Sequence, residues 1–252
     1  MVANAMVDSK LRGSCGRGSA RHTRPAQPFG LQPVALAVLA LLAGPALAQP
    51  ANTQLPVRPA NGAAINATVG ATTGTPTNPV TPITQQTSAN NRAVIEWNDF
   101  SIGRDARVTI TQPNAQSVLL NRVTNDSQSQ IYGGLSANGR VFIVNPFGVV
   151  FGGSAQVSVG SLLASSLDLT PAMSANGYQG FLDGAAVDLA GSGQFGVQVG
   201  RAENPAVNRV QAAQGGTVTL VGGGFVNVNG VVEAPGGKIS LAVAPAVQII
   251  PV

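Results

Sequence analysis

The chain has 252 residues, 44% of them hydrophobic but only 10% charged and 4% aromatic, with 31 glycines, where an ordinary globular protein carries about 25% charged residues. The sequence pI near 10.0 invites a nucleic-acid reading, yet the first 48 positions hold five basic residues against one acidic residue and so account for the whole formal net charge of +4. The remainder is electrically balanced, and a neutral surface gains nothing by displacing counterions from phosphates, so nucleic acid is excluded as a partner.

Lys10, Arg12, Arg17, Arg21 and Arg24 precede the apolar run Val34–Ala43, and Ala46-Leu47-Ala48 follows it. That order predicts a signal peptide over 1–48 with a long n-region, cleaved between Ala48 and Gln49 and handled by the general secretion machinery. An apolar core of about ten residues is half of what a membrane span requires. Cys15 and His22 are the only cysteine and histidine. Both leave with the leader, which excludes disulfides, thiol nucleophiles, imidazole bases and Cys/His metal sites from the mature chain, and no cofactor is expected. A cysteine-free chain in an oxidising compartment also suits onward export in an unfolded state.

Residues 49–90 are rich in Pro, Thr and Asn. The repeated prolines predict neither helix nor central strand, while Ala63–Val69 can lie along a sheet edge as a cap. Beyond Asn90, short β-type runs are separated by Gly, Asn and Asp: Arg92–Trp97, Arg107–Thr111, Ser117–Val123, Arg140–Val144, Val149–Phe151 and Gln156–Val159. Apolar residues alternate within them, as in Val108 and Ile110, so each run has one inward face. No 12-residue window carries a 3.6-residue stripe, although Ser161–Leu169 can form one helical turn.

Gly215-Gly216-Thr217-Val218-Thr219-Leu220 recurs 21 positions later as Gly236-Gly237-Lys238-Ile239-Ser240-Leu241, with Phe225–Val232 between. One period thus holds about three short strands and three bends, the content of one coil of a parallel β-helix. A β-meander is the alternative, but the bends are too frequent and irregular for two-residue hairpins. Ordering 21 residues costs roughly 20 to 40 kcal/mol of backbone entropy. A lone coil cannot offset that, so stability must come from stacked neighbours, and open ends need caps.

Arg92-Ala-Val-Ile-Glu-Trp-Asn-Asp-Phe-Ser-Ile-Gly103 resembles the opening run of the haemagglutination-activity, or two-partner-secretion, domain of filamentous haemagglutinin-type proteins. Further matching runs follow in order: Asn121-Arg122-Val123-Thr124, Ile131–Gly139, Val141–Gly152, Ala155–Val159 and Leu162–Asp168. The resemblance implies an all-β fold, a right-handed parallel β-helix with an N-terminal cap and short extra strands, in which 91–252 form the secretion domain. It implies an adhesin-type passenger, secreted or held at the cell surface by way of the periplasm, and recognised there by an outer-membrane β-barrel translocator. Host-cell surface glycans or proteins are the implied targets, and the mature form is expected to be monomeric.

The family places recognition on an Asn-Pro-Asn-Gly-like turn and on the Asn-Arg-Val segment. Here these are Asn145-Pro146-Phe147-Gly148, with Phe147 in place of the usual second Asn, and Asn121-Arg122-Val123. The first has the residues of a type I turn, so its side chains are expected to build a corner before they meet a partner. For Asn121 an inward-facing amide is the competing expectation. A further Asn-Pro-Asn-Leu motif is not matched, Gln112-Pro-Asn-Ala115 being a partial likeness.

Gly191-Ser-Gly-Gln-Phe-Gly196 fits a dinucleotide fingerprint by spacing alone, but Val197–Val199 reads as strand and no acidic residue follows about 20 positions on. No catalysis is expected, the alternatives being a surface β-helix acting on polysaccharide and a stand-alone interaction protein. Asp126, Asp168, Asp183, Asp188 and Glu203 are scattered, and only Asp183 and Asp188 are near neighbours. The chain closes on Ala246-Val-Gln-Ile-Ile-Pro-Val252, an apolar stretch expected to meet another coil, so a longer passenger is expected.

Overall fold

The computed structural model describes residues 48–200 and 208–250, and the fold is that of the unit that opens at Ala48. Residues 1–47, the bulk of the expected signal peptide, lie outside the described residues, as does Glu203. The described chain is a parallel β-helix with three sheets and one lateral insertion.

The first sheet stacks β1 (Ala64–Ile65), β5 (Arg92–Trp97), β7 (Val118–Val123), β10 (Arg140–Val144), β13 (Ser161–Ser165), β18 (Thr217–Gly222) and β21 (Lys238–Val243). The second stacks β2 (Ala67–Val69), β4 (Asn78–Gln85), β6 (Arg107–Thr111), β9 (Gly134–Ala137), β12 (Gln156–Val159), β17 (Arg209–Ala212) and β20 (Val231–Glu233), with β3 (Thr73–Thr75) beside β4. The third holds β8 (Ser129–Ile131), β11 (Val149–Phe151), β16 (Gly196–Val199) and β19 (Phe225–Val228). Alternation sets which side chains enter the coil: in β6, Val108 and Ile110 are buried while Arg107, Thr109 and Thr111 face solvent.

Register verifies the repeat. Thr217 pairs with Lys238, Val218 with Ile239 and Leu220 with Leu241, all in parallel, so the meander is rejected. The Gly-Gly pair that opens each period has two jobs. Gly215 and Gly236 turn the corner at φ +76° and +61°. The second glycine of each pair stacks on the glycine of the coil beneath: a Cβ on Gly216 would sit 2.0 Å from the Gly160 carbonyl oxygen, and one on Gly237 would sit 1.7 Å from that of Gly216. No side chain fits at that approach.

The cap forms at the edge as expected, with β1 antiparallel to β5 and β2 antiparallel to β4. The expectation of no central strand in 49–90 fails at β4, which runs through Pro79 and Pro82 between β6 on one side and β2 with β3 on the other. Pro82 is tolerated because its carbonyl, and hence its imino nitrogen, faces the break where β2 gives way to β3; the carbonyl accepts from Gly70 N at 2.8 Å. Pro79 precedes the first rung to β6, at Val80.

Between β13 and β16 the chain leaves the coil. It forms β14 (Asp168–Leu169), α1 (Pro171–Leu182) and β15 (Val187–Ala190), and β22 (Ala246–Ile249) later joins β15 antiparallel. Ser161–Leu169 is therefore strand rather than a helical turn. The helix lies just after it and has no stripe because it is broken: Asn176, Gly177 and Tyr178 take positive φ inside it. The terminal stretch expected to meet another coil instead meets this insertion, through Ala246–Ile249. The insertion buries its Leu169, Met173, Phe181 and Leu189 on the outward side of the first sheet, against Val94, Leu120, Val144 and Leu163. That makes a second core outside the coil, and it is why β5 and β7 are buried on both faces.

Candidate functional site

Asn121 sits in an inward column, paired with Ile95 and Ile143 on the neighbouring strands, and is fully buried. Its Oδ1 accepts from Trp97 Nε1 at 3.1 Å, and its Nδ2 donates to the Phe142 carbonyl at 3.3 Å. The amide thus serves the indole N–H, which has no water to turn to inside the coil. Val123 is also inward, paired with Trp97.

Arg122, between them, points outward and under the insertion. Its Nε donates to Asp168 Oδ1 at 2.8 Å and its Nη2 to Oδ2 at 2.6 Å, a two-pronged pair, while Nη1 donates to the Tyr178 hydroxyl at 3.1 Å. Tyr178 in turn donates to Glu96 Oε1. Glu96, beside Arg122 on β5, uses Oε2 to accept from Ala63 N of the cap at 2.8 Å. One network thus ties cap, first coil, second coil and insertion. The Asp168 hydrogen bonds hold the Arg122 guanidinium more firmly protonated than usual, against the opposing effect of burial. Burial, then the bond to Glu96, pushes the Tyr178 hydroxyl up to about 12. Arg92 fixes the other end of the helix: Nη1 donates to the Phe181 and Ala185 carbonyls, both at 2.9 Å, with the guanidinium 5.0 Å from the Phe181 ring centre.

Asn145-Pro146-Phe147-Gly148 is the predicted corner. Gly148 N donates to the Asn145 carbonyl at 2.9 Å, and Asn145 Oδ1 accepts from Phe147 N at 2.9 Å. The buried Asn145 Nδ2 donates to the Ser127 carbonyl and Ser129 Oγ, both at 2.9 Å, and so anchors the corner to the preceding coil. Gly148 has φ +101°. Pro146 and Phe147 are half-buried, and the Phe147 ring lies 5.4 Å from that of Phe195, which gives this position an apolar partner where the family usually has Asn. Ala48 and Gln49 are exposed at the first described positions.

The structure therefore brings Asn121, Val123 and Asn145 into the interior, locks Arg122 beneath the insertion, and leaves Pro146 and Phe147 part-exposed. Sequence reading did not assign Glu96, Tyr178 or Arg92 to any site. The signal for Arg92 and Glu96 was a charged residue within an otherwise apolar run, Arg-Ala-Val-Ile-Glu-Trp, as for Arg122 in Leu-Leu-Asn-Arg-Val, which marks an outer face that is covered; Tyr178 had no such signal. Residues 191–195 form the bend between β15 and β16, and Gly196 opens the strand that holds Val197–Val199. Asp183 accepts from Gln179 Nε2 at 2.7 Å and Asp188 from Gln248 Nε2 at 2.8 Å.

Residues 57–250 match the family of the TPS secretion domain. The chain belongs to that family. Two heme/hemopexin-binding proteins of Haemophilus influenzae resemble the TPS domain, at 45% identity over 75 residues and 41% over 91. Those matches take in 30% and 36% of this chain but 8% and 10% of the relatives, so the chain spans about a tenth of their length. Among solved structures, the HMW1 secretion domain of Haemophilus influenzae shares the fold: TM-score 0.59, 23% identity, covering 75% of this chain and 45% of that one.

Proposed function

We propose that this TPS domain is the export signal of an adhesin-type passenger, recognised in the periplasm by an outer-membrane β-barrel translocator, and that it nucleates β-helix folding once outside. The observation that carries the reading is the family match across 57–250. The geometry refines it. Asn121, Arg122 and Val123 have their side chains committed to the fold, so in this reading they act by building the first coils, and a partner that meets the folded domain meets the Pro146–Phe147 corner. Folding outside the membrane also supplies direction, because each new coil is stabilised by the one already formed.

The test is secretion of the full chain into the medium with and without the gene for its barrel partner. Release that depends on the barrel supports the reading, and undiminished release without it rejects it. No catalytic role is proposed. Asp168, Asp183 and Asp188 each already hold a protein partner, so no turnover is expected when purified protein is incubated with polyuronides and other glycans.

A further inference from the structure

The insertion covers the outer side of the first sheet only in part. It closes over β5 and β7 and over Val144 and Leu163, but across the Arg140–Phe142 end of β10 and on over β13, β18 and β21 a groove of about 660 Å³ stays open, lined also by Ile249 and Ile250. Arg140 opens β10 and Lys238 opens β21, and register puts both in one outward row, separated by Ser161 and Thr217. Three strand spacings place their Cα atoms about 14 Å apart, a gap their long side chains can close from either end. Phe142, half-buried, contributes the apolar part of the floor, and Thr217, Thr219 and Ser240 contribute hydroxyls.

The charge in this groove is one-sided. No carboxylate lines it. The four ion pairs among the described residues involve Arg104, Arg122 and Arg209, and neither Arg140 nor Lys238 takes part in any of them. Arg140 also bears on Arg92, whose pKa falls through burial first and through that like charge second. Two cations with no ion-pair partner among the described residues, beside an apolar floor, form a complement to a doubly negative headgroup carrying a hydrocarbon tail.

We propose that this groove binds the phosphate monoester of a membrane amphiphile, with the dianionic head between Arg140 and Lys238 and the chain along Phe142 toward Ile249. The inference does not rest on the translocator reading and survives its failure. The probe is dodecyl phosphate below its micelle concentration, titrated calorimetrically into the purified full chain, with inorganic phosphate and dodecyl maltoside as comparators. Saturable 1:1 binding is expected, at least tenfold tighter than either comparator. Arg140→Gln or Lys238→Gln should each weaken it about tenfold, while Arg140→Lys should hold it within threefold. Equal binding of either comparator, or unchanged affinity in both Gln variants, would overturn the proposal. Both side chains lie at the surface row, so intact Trp97 fluorescence checks that each variant is folded.

Discussion

At the scale of single residues, each of the two segments on which the family places recognition holds a buried asparagine satisfied by particular partners. Asn121 exists to accept one hydrogen bond inside an apolar column. Replacing it by Leu leaves the Trp97 N–H buried without an acceptor, which costs about 1–3 kcal/mol. The Asn121→Leu variant should therefore unfold at lower urea, and adding Trp97→Phe should cost less than the two single changes combined, since both unsatisfied atoms are then gone. Tyr178 supplies a second test, through pH. Its folded pKa of about 12 lies above its ordinary value of 10.0, so the folded state keeps a proton that the unfolded chain loses. The associated stability is complete below pH 10 and is lost as pH rises toward 12. Urea midpoints measured across that window should fall in the parent chain and fall less steeply in Tyr178→Phe. Sequence made Asn145 and its corner legible because an Asn-Pro-x-Gly turn is local. The partners of Arg122 were not legible, because Asp168 and Tyr178 arrive from a detour more than forty residues downstream.

Among elements, strands were more readable than the helix, for the same reason of locality. Alternation gave five strands their full bounds, from Arg92–Trp97 to Gln156–Val159, since each carries its own inward face. The helix Pro171–Leu182 has a break at Asn176–Tyr178 and is held by Met173, Tyr178 and Phe181 against another sheet, so its signal lies in tertiary contact. Proline misled at β4, where what matters is which neighbour each nitrogen faces. The glycine pairs were readable as a repeat but not as a contact: Gly216 is required because a backbone carbonyl lies where its Cβ would be. Backbone cannot swing aside as a long side chain can, so Gly216→Ala should destabilise by roughly 1–3 kcal/mol or more. A Cβ on Gly153 meets nothing within 4 Å, and Gly153→Ala should stay within about 0.5 kcal/mol of the parent in the same urea titration.

Considered as a whole molecule, the chain covers its first coils with a segment that comes later in the sequence. The first two coils can form as soon as residues 92–137 are available, yet the outward faces of Val94 and Leu120 stay bare until 168–190 return to cover them. The closing interaction is Arg122 with Asp168 and Tyr178, supported by Arg92 on the helix end. The coils have their own interior core around Trp97 and Phe100, whose rings lie 5.2 Å apart, and do not need the insertion to keep it dry. The insertion has less independence, because its apolar residues share their buried cluster with Val94, Leu120, Val144 and Leu163 of the coil. Arg122→Met should therefore loosen the insertion first and leave Asp168 as a partly buried charge without its cation. Hydrogen exchange should then show α1 and β15 opening well below the free energy at which β5 and β7 open. Trp97 fluorescence should report only the later, coil transition, while the parent chain loses both together. If exchange in β5 and β7 rose in step with α1, coil and clasp would be one cooperative unit, and the stacked coils could not stand without their cover.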